Sequence, residues 1–157
     1  MKTLVTILLT LTVSAATAQE SSTDTLKYCL NREYIGIGGF DPVSYFKSDK
    51  PVPGSTSISA RHDGVEYRFA SHDNKNEFMS NPSKYLPQFG GWCSMTLAMG
   101  RATTPKYDNF TITAGKLYLF ERTLSVNGRE LWLKDTKGNE VVAAKNYHSY
   151  KSTGRIQ

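Results

Sequence analysis

Cys93 is the side chain of this sequence best suited to chemistry, because a thiolate attacks disulfides and binds soft metal ions. It lies in the stretch 87–100, which holds one of the two cysteines, one of the two tryptophans and two of the four methionines. His62 adds an imidazole, and Met95 and Met99 add thioethers. Thiolate, imidazole and thioether together suit Cu(I) better than zinc, so these four residues are candidate metal ligands.

The residues around Cys93 predict the local structure that would position it. Gly90 and Gly91 allow a tight turn, since glycine enters conformations closed to other residues. The segment 92–99 contains neither Pro nor Gly, and Met95 and Met99 are spaced for one face of a short helix. Cys93 would then lie in the first helical turn, where free N–H groups and the helix dipole favour a thiolate.

The alternative for the same stretch is a buried cluster without chemistry, because free cysteine is among the most buried residue types. In that case Tyr67, Phe89 and Trp92 would line an apolar pocket for a small ligand. Neither alternative is excluded by composition or spacing.

The residue pattern at the N-terminus predicts that the protein is exported from the cytoplasm. Residues 1–18 have a positive start, a short apolar run and an Ala-x-Ala end, which is typical of a cleaved signal peptide. The run is too short to span a membrane, so a secreted or periplasmic protein is expected. Residues 19–33 are predicted to be a flexible arm, residues 34–150 one folded domain, and residues 151–157 a frayed tail. Cys29 and Cys93 can form a disulfide in such a compartment, or remain free thiols.

The net charge of +5 comes from scattered basic residues that acidic residues interrupt. A nucleic-acid-binding protein should carry a basic stripe, so this class of partner is not expected. No triad order, phosphate loop or dinucleotide fingerprint is present, and the sequence leaves open whether the protein is an enzyme.

Two β-hairpins are predicted from turn pairs between alternating strands. Asp63-Gly64 places His62 opposite Val65, Ala60 opposite Tyr67, and Ile58 opposite Phe69, with Arg61 and Glu66 as an ion pair on the other face. Ala114-Gly115 joins strands 109–113 and 116–120. Ser71 should cap a helix over 72–79, and Asn139 a helix over 140–148. The fold class is therefore α+β, with antiparallel hairpins and short helices packed on one side. Asn109-Phe110-Thr111 is a glycosylation sequon.

Several motifs in one order resemble the small secreted branch of the YHS-domain family. They are Gly39-Phe40-Asp41-Pro42-Val43-Ser44-Tyr45-Phe46, His62-Asp63-Gly64, Tyr67-Arg68-Phe69-Ala70-Ser71, Phe78, Asn81-Pro82, Lys84-Tyr85, and Pro87-Gln88-Phe89-Gly90-Gly91-Trp92-Cys93. The resemblance implies a metal-binding domain, with copper as the suggested metal. The chain departs from metal-type members at Ala70 and Asn74, where they carry cysteines. In the secreted branch the cysteine after Gly-Gly-aromatic is characteristic, which points to thiol redox chemistry at Cys93.

Three functions follow as hypotheses. The first is soft-metal binding around Cys93 and His62, with Met95 and Met99 as further ligands. The second is thiol redox chemistry at Cys93, alone or with Cys29 as the resolving cysteine. The third is a non-catalytic structural or small-ligand-binding domain. The protein partner is not predicted by any of them.

Overall fold

The computed structural model describes residues 24–31 and 33–156, so the predicted signal peptide (1–18) and the start of the predicted arm lie outside the described residues. The described chain forms a small α+β domain of two antiparallel hairpins and short helices. The strands are β1 Ser55–His62, β2 Val65–Phe69, β3 Lys106–Thr113 and β4 Lys116–Phe120. The helices are α1 Asp24–Lys27, α2 His72–Ser80, α3 Pro82–Tyr85, α4 Ser94–Ala98, α5 Gly128–Lys134 and α6 Thr136–Thr153.

The first hairpin turns at Asp63-Gly64, where both residues have positive φ. His62 faces Val65 and Ala60 faces Tyr67, as predicted. The predicted pairing of Ile58 with Phe69 is wrong, since the register shifts between Ser55 and Ser59 and Ser55 faces Phe69. An irregularity of this kind inserts unpaired residues into one strand, and the alternating pattern does not reveal it.

The ion pair of Glu66 also differs from the prediction, which joined it to Arg61 across the first hairpin. Arg61 faces Glu66 in the register, but the Glu66 carboxylate accepts a hydrogen bond from Arg68 Nε at 3.1 Å. Arg61 is exposed to solvent. A long exposed side chain gains little from such a pair, so the half-buried Arg68 is the better partner.

The second hairpin contains the most buried strand. Phe110 faces Leu119 and Ile112 faces Leu117, as predicted. On β4, Leu117 and Leu119 enter one hydrophobic cluster, whereas Tyr118 and Phe120 enter another. Because side chains of a strand alternate between its faces, β4 divides the core into two parts. The first part packs the β1–β2 hairpin with α2 and α3, and the second packs α4, α5 and α6.

The helix boundaries follow local capping. The Ser71 side chain accepts a hydrogen bond from the N–H of Asn74 and starts α2, as predicted. Helix α6 begins earlier than predicted, because Asp135 accepts from the N–H of Gly138 and caps it in place of Asn139. Asn109 of the sequon is buried and donates from Nδ2 to Asn127 Oδ1 at 2.9 Å, so its amide is not presented to solvent.

Both ends of the described chain are packed more closely than predicted. In the segment expected to be a flexible arm, Tyr28 and Cys29 are buried. At the other end, α6 runs to Thr153 and closes at Gly154 with a φ of 71°, inside the segment expected to be frayed. Ile156 then packs against the second core cluster. None of the helices in residues 24–156 that the structure describes is long and apolar enough to cross a membrane.

Candidate thiol site

Cys93 lies at the N-terminus of α4, as its N-cap. Its sulfur is fully buried and accepts hydrogen bonds from two main-chain N–H groups, those of Thr96 at 3.5 Å and Glu121 at 3.1 Å. The Cys93 N–H donates to the carbonyl of Thr103 at 3.0 Å. These N–H groups hold the Cys93 sulfur in a fixed position at the start of α4.

The turn before Cys93 is built from residues in the left-handed region. Phe89, Gly90 and Gly91 have φ values of 54°, 61° and 85°. Phe89 is unusual there because a side chain is strained at positive φ. Its ring packs beside Tyr118 and Tyr147, and this packing holds it in place. The double glycine that the sequence singled out therefore sets the direction in which Cys93 enters α4.

A polar chain runs beside Cys93. The Thr96 hydroxyl donates to the Cys93 carbonyl at 3.2 Å and lies 2.9 Å from the Thr103 hydroxyl. Thr103 in turn donates to Glu121 Oε2 at 2.8 Å. These bonds connect the start of α4, the loop after it and the end of β4. They fix both N–H groups that point at the Cys93 sulfur.

Cys29 is the second thiol of the site. It is buried, its N–H donates to the carbonyl of Gly90 at 2.9 Å, and its sulfur lies 3.7 Å from the Thr104 hydroxyl. Cys29 and Cys93 thus contact consecutive residues, Thr104 and Thr103. Burial raises the pKa of the Cys29 thiol, hydrogen bonding to Thr104 and Tyr107 lowers it in part, and the charge of Cys93 raises it. Both cysteines are free thiols in the structure.

His62 is not brought to Cys93. Its ring lies against Phe78, with 6.1 Å between the ring centroids, and its Nε2 is 3.9 Å from Asp63 Oδ1. Phe78 belongs to the first core cluster, whereas the residues that surround Cys93 belong to α4, the loop after it and the end of β4. The expectation that an imidazole and the Cys93 sulfur converge has no support in these contacts.

The two methionines occupy different environments. Met95 is half-buried against the second core cluster, and Met99 is 53% exposed at the end of α4. Among the residues that the structure describes, no group of three or more His, Cys, Asp and Glu side chains is arranged to hold a metal ion.

The three aromatic residues predicted to line one pocket are also divided. Tyr67 packs on Phe78 in the first cluster, and Phe89 and Trp92 pack against the second. Trp92 alone of the three borders a surface cavity of about 280 Å³. The other lining residues of that cavity flank Cys29 in sequence; they are Thr25, Tyr28, Leu30, Asn31 and Tyr34.

Sequence reasoning missed Thr103, Thr104 and Glu121 as neighbours of the two cysteines. Their types and spacing carry no signal, because they reach the site only when the loop after α4 and the end of β4 pack against it. Cys29 had a signal, since it is the only other cysteine.

Comparison of the chain with models of protein families, with curated proteins and with solved structures finds no match.

Proposed function

We propose that this protein is an exported, YHS-like domain whose function is thiol–disulfide exchange by Cys93 and Cys29. The observation that carries the proposal is that two buried free cysteines contact the same two-residue segment, Thr103 and Thr104. One sulfur receives main-chain N–H donors, while burial raises the pKa of the other. This asymmetry matches an attacking cysteine and a resolving cysteine.

The exchange proceeds in two steps. The Cys93 thiolate attacks one sulfur of a substrate disulfide, and the other sulfur leaves as a thiolate that takes up a proton. Cys29 then loses its proton and attacks Cys93, so the second substrate thiol leaves. The protein gains the Cys29–Cys93 disulfide and gives up two electrons, and the substrate disulfide becomes two thiols.

The attacking cysteine and the resolving cysteine require different environments for their sulfurs. Cys93 must attack the substrate first, and the N–H groups of Thr96 and Glu121 hold its sulfur in a fixed position at the start of α4. Cys29 must stay protonated until the mixed disulfide forms, and its raised pKa keeps it so. The pKa of Cys29 lies above its ordinary value of 9.0, so its thiol should resist alkylation at neutral pH.

The test is a thiol count on the folded, full chain after equilibration with a dithiol–disulfide buffer. We expect two thiols in reducing buffer, none in oxidising buffer, and a single two-electron transition between them. Cys29→Ser and Cys93→Ser should each abolish the transition, and Thr104→Val, which removes only the neighbour of Cys29, should shift its midpoint. Two thiols that persist in oxidising buffer and react only after unfolding would contradict the proposal.

A second candidate is soft-metal binding at the same two sulfurs. Two thiolates are soft ligands of the kind that select Cu(I), and Cys29 would replace His62 as the partner of Cys93. The metal would supply charge neutralisation for two buried thiolates. Titration of the reduced chain with Cu(I) distinguishes the alternatives. Binding that is lost in Cys29→Ser and Cys93→Ser but kept in His62→Ala supports this site, and loss in His62→Ala supports the site first expected.

A further inference from the structure

The segment that carries Cys29, which we call the N-terminal strap (residues 25–30), is held to the Cys93 region by its main chain. The Cys29 N–H donates to the Gly90 carbonyl at 2.9 Å. The Leu26 carbonyl accepts from Trp92 Nε1 at 3.0 Å. The Lys27 carbonyl accepts from the Tyr147 hydroxyl at 2.8 Å.

The surface that receives the strap, which we call the seat, consists of Gly90, Trp92 and Tyr147. A side chain at Gly90 would not fit, because a Cβ built there would lie 1.9 Å from the Lys27 carbonyl oxygen. Glycine therefore permits a close approach of two backbones. The side chains of Lys27 and Tyr28 instead contact Asp63, outside the seat. The seat therefore binds main-chain N–H and carbonyl groups of the strap, and every polypeptide has such groups.

The seat also determines where the sulfur of the seated chain lies. With its N–H bound to Gly90, Cys29 is buried and its sulfur lies 3.7 Å from the hydroxyl of Thr104, next to the Thr103 carbonyl that accepts from the Cys93 N–H. A segment of another protein that made the same three main-chain bonds would bring its own cysteine to the same place.

We propose that the seat is a binding site for cysteine-bearing polypeptide segments of partner proteins, and that the strap occupies it as an internal substrate analogue. The proposal rests on the thiol-exchange function and adds its substrate class, which is a protein disulfide. Displacement of the strap empties the seat for the partner segment. Cys93 then attacks the seated sulfur of the partner's disulfide, and the other partner sulfur leaves as a thiolate. When the strap returns, Cys29 attacks Cys93 and releases the partner as a thiol.

The test uses a synthetic peptide with the sequence of residues 25–31, Thr-Leu-Lys-Tyr-Cys-Leu-Asn, whose cysteine is joined to the chromophore 5-thio-2-nitrobenzoate by a disulfide. The Cys93 thiolate attacks the peptide sulfur, the chromophore leaves as a coloured thiolate, and a Cys93–peptide disulfide forms. The protein is the full chain with Cys29→Ser, which removes the internal thiol, and Tyr28→Ala, which removes a buried anchor of the strap but leaves the seat unchanged.

We expect the peptide to react at least about tenfold faster than the same activated disulfide of free cysteine, because seating adds hydrogen bonds to the reaction. Methylation of the peptide's cysteine N–H removes the donor to Gly90 and should slow the reaction about fivefold to tenfold. Alanine at the Lys of the peptide should change the rate little, because the Lys27 side chain reaches Asp63 outside the seat. The methylated peptide therefore tests the seat with the protein unaltered.

The outcomes separate the two proposals. If free cysteine disulfide and peptide react equally, or if methylation has no effect, the seat is not a peptide site although thiol exchange stands. If neither compound reacts with Cys93, the thiol-exchange function itself fails. Mass determination of the Cys93–peptide adduct shows that the colour arises from the intended sulfur.

Discussion

At the scale of single residues, several buried polar side chains of this domain form hydrogen bonds with main-chain groups. The clearest case is Asp41, which is fully buried. Its carboxylate accepts from the N–H groups of Val43 at 2.9 Å and Ala70 at 2.8 Å, and from Asn74 Nδ2 at 2.6 Å. It therefore joins the turn before the first hairpin to the end of β2 and the start of α2.

Asp41→Ala should destabilise the protein by about 3 kcal/mol, because three donors lose their buried acceptor. The measurement is the free energy of unfolding from urea titration. Asp49→Ala, a matched change of an exposed aspartate, should alter this free energy by less than about 0.5 kcal/mol. Equal stability of the two variants would mean that the buried carboxylate contributes nothing.

At the scale of elements, α6 is joined to the second hairpin by a carboxylate. Glu140 accepts from Lys116 Nζ at 2.7 Å and from the Tyr118 hydroxyl at 2.8 Å. Two hydrogen bonds hold the pKa of Glu140 below its ordinary value of 4.5. The bond from Lys116 has the larger effect, and the bond from Tyr118 the smaller. Because the folded pKa is below the unfolded one, this stabilisation is present above pH 4.5 and is lost as the pH falls below it.

Glu140→Gln should therefore flatten the acid side of the stability profile. The amide keeps one oxygen for Tyr118 but has no carboxylate to titrate, so the variant should be less stable than the wild type at neutral pH and closer to it in acid. Unfolding free energies measured across the range below pH 4.5 provide the check. Asp49→Asn serves as the control, and a Glu140→Gln profile parallel to that of the wild type would argue against the linkage.

At the scale of the whole molecule, the two cysteines connect distant parts of the chain. Cys29 precedes the first hairpin, and Cys93 follows it and both helices that pack on it. The strap reaches as far as α6, through the bond from Tyr147 to the Lys27 carbonyl. A disulfide between the cysteines would close a long loop and restrict the unfolded chain.

We expect the oxidised protein to be more stable than the reduced protein by roughly 2–4 kcal/mol. Denaturant unfolding with and without a reductant measures the difference. The double variant Cys29→Ser, Cys93→Ser should show none. An oxidised form less stable than the reduced one would mean that the bond strains the seat, and the strap would then not return to it as proposed.

Local signals determined much of this protein from its sequence alone. The turns at Asp63-Gly64 and Ala114-Gly115, the cap at Ser71 and the start of a helix beside Cys93 each depend on residues within a few positions of one another. Sterics and hydrogen bonds at that range act before any tertiary packing.

The tertiary structure alone decided which groups surround the Cys93 sulfur. The sequence favoured His62 as its neighbour, but the His62 ring lies against Phe78, a residue of the first cluster. Cys29 lies near Cys93 because main-chain bonds hold the strap on Gly90 and Tyr147. Contacts between residues so distant in sequence arise from the packing of several elements at once, and no spacing in the sequence encodes them.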